Sequence, residues 1–206
     1  MFPKVEGGPP LILASASQAR AAMFEAAGID VSLRPAAVDE GDIKASFKAA
    51  GGSAGEAAVA LAELKANVIA STVPPDAIVL GADQILTCDG DWFDKPVDRN
   101  AAHAQLSKLG GKPHELHTAV VAFRGGARIW HHLATPRLQM RPLSSDFIER
   151  YLDAAGDGAL ASVGCYQIEG AGAHLFTRTD GDYFSILGMP LLPVLTFLRD
   201  QGVVMT

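Results

Sequence analysis

Cysteine is scarce in this chain of 206 residues: Cys88 and Cys165 are too few for a disulfide framework. Basic side chains are also in short supply, 17 against 23 acidic ones, and a formal charge of −6 offers no general attraction to polyanions. Polymeric nucleic acid is therefore not an expected partner, and any phosphate must be held locally. No apolar run approaches the roughly 18 residues that mark a membrane span, so no membrane partner is expected. The opening MFPKVEGGPPLILAS lacks the charged-then-apolar profile of a secretion signal. A cytoplasmic protein with free thiols is the expectation. Apolar residues, by contrast, make up 49% of the chain, enough for a sizeable core and incompatible with a disordered polymer.

Residues 1–10, with three prolines and two glycines, read as a loose lead-in. A short apolar strand over Leu11 to Ser15 passes into a helix with Ser17 as N-cap and Gly28 as stop. Ala19, Ala22, Met23, Ala26 and Ala27 repeat along it at helical spacing. A strand is expected around Val31 to Arg34, then a loop as far as Gly55. Ser53 and Glu56 form a capping-box pattern opening a helix to Ser71, with Leu61, Leu64, Val68 and Ile69 inward. Ala77 to Cys88 begins as a continuous apolar run and reads as the central strand, buried on both faces. A turn-rich segment over 89–98 leads to a helix from Arg99 to Leu109, ended by Gly110-Gly111. Two strands flank the hairpin signal Gly125-Gly126, the second running through to Met140. A helix capped by Ser144 or Ser145, a glycine-rich passage without period, a strand near Phe176 and a helix from Pro190 complete the chain. A parallel-type start followed by hairpins indicates an α/β fold bent into two lobes, residues 11–206 forming one domain.

Five pieces could carry chemistry. Ser15, Ser17 and Arg20 lie at a strand-to-helix junction, where free N–H groups, hydroxyls and a guanidinium suit a phosphate; Ser17 could equally be only a cap and Arg20 a solvated residue. Asp83 puts a carboxylate in an apolar strand, as a working acid or as a structural group accepting backbone hydrogen bonds. Asp39-Glu40 could offer hard oxygens to a divalent ion or form a solvated loop. Lys65 lies in a mostly apolar helix and Lys95 in Asp94-Lys95-Pro96; either could be an ordinary solvated lysine. Tyr166-Gln167-Ile168-Glu169-Gly170 could line a shallow pocket or form a simple turn. The six histidines show no metal-ligand spacing, and Cys165 reads as a small buried residue.

Taken in order, LILASASxxR, VDE, LAxxKA, GADQ, DKP, YQIEG and GDYxxxLGMPL resemble the Maf family of nucleoside triphosphate pyrophosphatases, related in fold to the inosine triphosphatases. The likeness runs from Leu11 to Gly202. It implies an elongated mixed α/β sheet, two lobes around a central cleft, a divalent metal (Mg²⁺ or Mn²⁺) and a homodimer. Position by position, it makes Asp83 the general base on an attacking water. Ser15, Ser17, Arg20, Lys65 and Lys95 become substrate-binding residues, and Glu40 a metal ligand. A nearby cation is expected to keep Asp83 ionised at neutral pH. Gln84 and Glu169 match members resembling 7-methyl-GTP pyrophosphatases, whereas members acting on thymidine and uridine triphosphates carry Thr and Gln there.

The chain departs from the family pattern at Gln18, where the family has proline, at Asp94, where it has glycine, and at Ala19, where Arg or Trp is frequent. Ala19 offers no aromatic platform for a cationic base. The expected reaction converts a nucleoside triphosphate, with a lean to a guanine-type base, into the monophosphate and pyrophosphate. Two rivals stand beside it: a non-catalytic nucleotide- or protein-binding regulator of septum formation, and a phosphatase that removes the terminal phosphate.

Overall fold

The strand expected to be central is so. In the computed structural model, which describes residues 5–205, β3 (Ile78–Cys88) is buried along nearly its whole length and holds the third place in the sheet path. The other strands are β1 (Leu11–Ala14), β2 (Ser32–Leu33), β4 (Asp91–Phe93), β5 (Pro113–Arg124), β6 (Ala127–Ala134), β7 (Arg137–Met140) and β8 (Phe176–Asp180). Their order is β2-β1-β3-β5-β7-β8, with β4 attached to β3 and β6 to β5. β1 runs parallel to β2 and β3, while the β3–β4, β5–β6, β5–β7 and β7–β8 pairs are antiparallel. The sheet is therefore mixed. The helices are α1 (Gln18–Ala26), α2 (Glu40–Ala49), α3 (Ala54–Ala70), α4 (Arg99–Leu109), α5 (Ser145–Ala155), α6 (Asp157–Leu160), α7 (Tyr183–Ile186) and α8 (Leu191–Asp200). Of the expected lead-in, residues 1–4 lie outside the described residues.

The chain divides into two compact units. The first holds the residues up to Asp83, Thr118–Ala134 and the chain from Gly188 on; the second holds Gln84–His117 and Thr135–Leu187. In the first unit, α3 packs on β1 and β6, and fully buried Leu13, Phe24, Leu61, Ile78, Leu80 and Val120 fill the interior. α3 starts where the capping box placed it: Ser53 Oγ accepts from Glu56 N at 3.2 Å, and Ser53 N donates to Glu56 Oε2 at 2.9 Å. In the second unit, α4 and α5 pack together over Leu86, Leu106, Leu109, Leu116, Leu138, Met140 and Ile148. Ser144, not Ser145, caps α5, its Oγ accepting from Phe147 N.

Several expectations are corrected. The loop foreseen before Gly55 contains α2, started by Asp39, whose Oδ1 accepts from Gly41 N and Asp42 N. None of its side chains is fully buried, so no apolar stripe announced it. The turn-rich segment over 89–98 contains β4. Asp89 (φ 51°) and Gly90 (φ 85°) both take the left-handed conformation that a tight hairpin turn requires, and so fold β4 back on Leu86–Cys88. The strand expected through to Met140 breaks at Thr135-Pro136. β6 pairs with the Thr118–Arg124 half of β5, and β7 with Pro113–Glu115. On α1 the buried face is Arg20, Met23 and Phe24, while Ala22 and Ala26 are exposed, because larger side chains gain more from burial than alanine methyls. On α3, Val68 is exposed and Lys65 takes an inward position.

One buried group predicts acid sensitivity. His114 is 2% exposed, shares a 2.8 Å hydrogen bond with the Tyr166 hydroxyl through Nε2, and has no hydrogen-bond partner for Nδ1 among the described residues. Burial lowers its pKa from 6.5 to about 4. The unfolded chain then binds the extra proton first as pH falls. His114 therefore leaves stability intact above pH 6.5 and erodes it between there and about 4. The slope is about 1.4 kcal/mol per pH unit, about 3 kcal/mol in all. Denaturant titrations at pH 7.5 and 4.5 should show a steeper loss for the native chain than for His114→Gln, and equal losses would refute the assignment.

Candidate active site

A close contact between a helix and a strand builds the first-unit cluster. Gly81 and Asp83 alternate to the same face of β3. A Cβ on Gly81 would overlap the Ala62 carbonyl oxygen and lie 2.7 Å from Ala66 N, so α3 sits directly on the strand backbone at this point. Ala62, Lys65 and Ala66 share that inward face of α3. Lys65 Nζ consequently reaches Asp83 Oδ1 at 2.6 Å and Glu40 Oε1 at 2.6 Å, bridging two carboxylates from different elements. Lys65 and Asp83 are 8% and 4% exposed, whereas the Glu40 side chain is half-exposed and also stands 3.7 Å from Lys44 Nζ. The two members of the Asp39-Glu40 pair have thus separated: Asp39 caps α2 and Glu40 joins the cluster.

Arg20 closes the cluster from α1. Its Nε donates to Gly188 O at 2.8 Å, and Nη1 donates to Ser15 Oγ at 3.0 Å and to Ala82 O at 3.1 Å. Three of its five N–H donors are committed, which makes it a buried tie between β1, β3 and the start of the last segment. Ser15 Oγ also accepts from Ser17 N at 3.2 Å, and Ser17 Oγ accepts from Arg20 N at 3.4 Å as the N-cap of α1. Each hydroxyl keeps its proton for donation. Burial lowers the Arg20 pKa against the opposing pull of Asp83 and Glu40.

At Asp83 the neighbouring cations favour the ionised form, as expected, against the cost of burial. Burial raises its pKa by more than Lys65 and Arg20 lower it, so the net direction is upward from 3.8. A more basic carboxylate is a better proton acceptor. Its Oδ2 is buried with no hydrogen-bond partner among the described residues. The structure thus unites Ser15, Ser17, Arg20, Glu40, Lys65 and Asp83 in one unit.

The remaining sequence candidates belong to the second unit. Gln84 Nε2 donates to Ser185 O at 3.1 Å and to Ile186 O at 3.2 Å. Lys95, just beyond β4, and Glu169, in the glycine-rich passage, are exposed. Cys165 is fully buried, its Sγ donating to Gln105 Oε1, and burial pushes its thiol up to about 12, an inert setting. The reading of residue types passed over Gly81, whose role is steric, and Asp182, whose cap lies outside any long periodic helix.

A buried aspartate bound to a lysine, beside an arginine–serine junction on a mixed α/β sheet, is what the motif series anticipated. Residues 10–201 match the family model described as Maf-like protein, and the chain belongs to that family. Among curated relatives, a protein of Granulibacter bethesdensis is 56% identical over 191 residues, covering 93% of this chain and 96% of the relative. One of Paramagnetospirillum magneticum is 51% identical over 191 residues (93% and 98% covered), and one of Rhodospirillum rubrum 48% over 198 residues (96% and 98%). Each of the three is named nucleoside triphosphate pyrophosphatase.

Proposed function

We propose that this protein is an acid-anhydride hydrolase that converts a nucleoside triphosphate into the monophosphate and pyrophosphate. Family membership and the relatives' names support the reaction class. The observation that carries the assignment of the base is the unclaimed, buried Oδ2 of Asp83 beside an oxygen already held by Lys65. Water adds to the α-phosphorus, its proton passes to Asp83, and the bond from the α-phosphorus to the bridging oxygen breaks to release pyrophosphate. Lys65 and Arg20 stabilise charge on the phosphates, and the Ser15 and Ser17 hydroxyls donate to phosphate oxygens. Lys95, exposed on its loop, adds a further cation for the triphosphate.

Toward a divalent ion of the Mg²⁺ or Mn²⁺ kind the cluster offers hard carboxylate oxygens on Glu40 and Asp83. No group of three or more His, Cys, Asp or Glu able to hold a metal occurs among the described residues. Glu40, the half-exposed carboxylate of the cluster, would hold the ion together with oxygens of the triphosphate, as suits a cation that takes few protein ligands. When bound, the ion supplies neutralisation of phosphate charge. The working form in this proposal is a cytoplasmic homodimer, read from the family resemblance, and its mass in solution tests that part.

Gln84 and Glu169 read the base, with a preference for a guanine edge, because a carboxylate can accept from two adjacent N–H donors of guanine and from only one of uracil or thymine. The reaction is tested by incubating purified protein and Mg²⁺ with a panel of triphosphates, including 7-methyl-GTP, while both phosphate products are measured. Pyrophosphate with monophosphate is the expected pair. Orthophosphate with diphosphate would mark a terminal phosphatase, and no product from any triphosphate a binding protein. In the same panel, Glu169→Gln should weaken the preference for guanine-type substrates; an unchanged ranking removes Glu169 from base recognition.

A further inference from the structure

The glycine-rich passage that carries Glu169 leaves and rejoins the core of the second unit at two aromatic side chains that touch each other. Tyr166 opens the excursion and Phe176, the first residue of β8, closes it; their rings meet edge to face with centroids 4.8 Å apart. His114 of β5 packs against both, its ring centroid 5.7 Å from that of Tyr166 and 5.8 Å from that of Phe176, and its Nε2 lies 2.8 Å from the Tyr166 hydroxyl. Entry to the loop is strained: Cys165, not a glycine, takes a left-handed φ of 64°, and the Tyr151 hydroxyl holds its carbonyl at 2.9 Å. The chain between the two rings is folded on itself. Gly170 N donates to Gln167 O at 3.1 Å, Ala173 N donates to Gly170 O at 3.1 Å, and a Cβ on Gly172 would overlap the Gln167 carbonyl oxygen. The exposed Glu169 thus stands on a compact loop whose two ends share one aromatic footing.

An apolar residue would fill the place of His114 at lower cost. His114 and Tyr166 are 2% and 5% exposed, and His114 Nδ1 is buried with no hydrogen-bond partner among the described residues. A buried polar atom left unpaired is destabilising, whereas replacing both partners of a hydrogen bond by apolar groups of the same shape is nearly neutral. What the His114–Tyr166 bond adds to an apolar contact is direction, because it admits one position of the Tyr166 ring on the core.

We propose that His114 is a positioning residue for base selection: through Tyr166 and Phe176 it fixes both ends of the loop, and so the place from which Glu169 meets the substrate's base. This inference rests on the reading of Glu169 as a base-contacting residue. His114 itself is buried and acts only through other side chains.

The test uses the full-length protein and the double variant His114→Phe/Tyr166→Phe, which removes the polar pair and keeps two aromatic rings. Its thermal melt should lie within about 4 °C of the native one, below which Tyr166→Phe alone should fall, because that change strands Nε2 of His114 as well as Nδ1. Backbone amides of residues 166–175 should nevertheless exchange with solvent about tenfold faster in the double variant, those of α4 and α5 staying as they are. The ratio of kcat/KM for GTP over UTP should narrow about tenfold through a raised KM for GTP, with kcat near its native value. His114→Gln, whose amide can still meet the hydroxyl, should preserve both exchange and ratio. Tyr166→Phe serves for the same two readouts if the double variant does not fold. Native exchange and a native ratio in a double variant that melts normally would show that the pair serves stability alone, and would overturn the proposal. Glu169→Gln, measured alongside, separates the two layers. A ratio that it narrows and the double variant leaves alone overturns the positioning role of His114. A ratio that Glu169→Gln itself leaves unchanged overturns the reading of Glu169 on which the inference rests.

Discussion

Asp83→Asn should lower turnover about 10²–10⁴-fold, the range attributed to a lost general base, while leaving the fold intact. The stability half of this expectation follows from the cluster. Replacing one partner of a buried ion pair is ordinarily costly because the other charge is stranded. Here Lys65 retains Glu40 at 2.6 Å. Burial also raises the pKa of Asp83, so the ionised carboxylate is disfavoured in the folded chain relative to the unfolded one, and a neutral amide removes that penalty. A thermal melt should shift by only a few degrees while pyrophosphate release collapses. Turnover within tenfold of the native rate would place the base elsewhere; a collapsed melt would make Asp83 a structural residue.

Gly81→Ala should be the most destabilising single-methyl change in the first unit. The added carbon would meet the Ala62 carbonyl oxygen and Ala66 N, backbone atoms of a regular helix that cannot rotate away as a side chain could. Relief requires α3 to lift from β3, which opens the interior around Leu61 and Leu80 and draws Lys65 away from Asp83. Overpacking of this kind costs about 1–3 kcal/mol when neighbours yield, and more when they are main chain. Urea denaturation should register a loss of about 3 kcal/mol or more, accompanied by loss of activity. A change under about 1 kcal/mol would mean that the helix shifts at little cost.

The sequence made some parts of this molecule legible because local chemistry determined them. The apolar run of β3, the Ser53–Glu56 box of α3, the Gly125-Gly126 hairpin and the Ser17 cap of α1 each depend on residues close together in the chain. α2 is not legible because it buries no side chain fully, and a helix without an apolar stripe resembles a loop to any periodicity argument. Within the candidate site, positions 15, 17, 20, 40, 65 and 83 all stand out in the sequence by residue type. Their pairing was not legible from spacing. That one ammonium holds both Glu40 and Asp83 depends on where α2 and α3 come to rest. That Arg20 spends donors on Gly188 and Ala82 depends on contacts 168 and 62 residues away. At Asp83 desolvation outweighs the cations, a balance visible only after burial is known.

The Gln84 carboxamide donates to two carbonyls at the C-terminal end of α7, so a change of this side chain is also a change to that helix end. An exchange at position 84 made to test the proposed base contact, Gln84→Thr for instance, would also remove both donors from Ser185 and Ile186. A threonine hydroxyl brings a single proton on a shorter arm. Any such exchange therefore needs a compensating donor for the end of α7, introduced together with the new side chain.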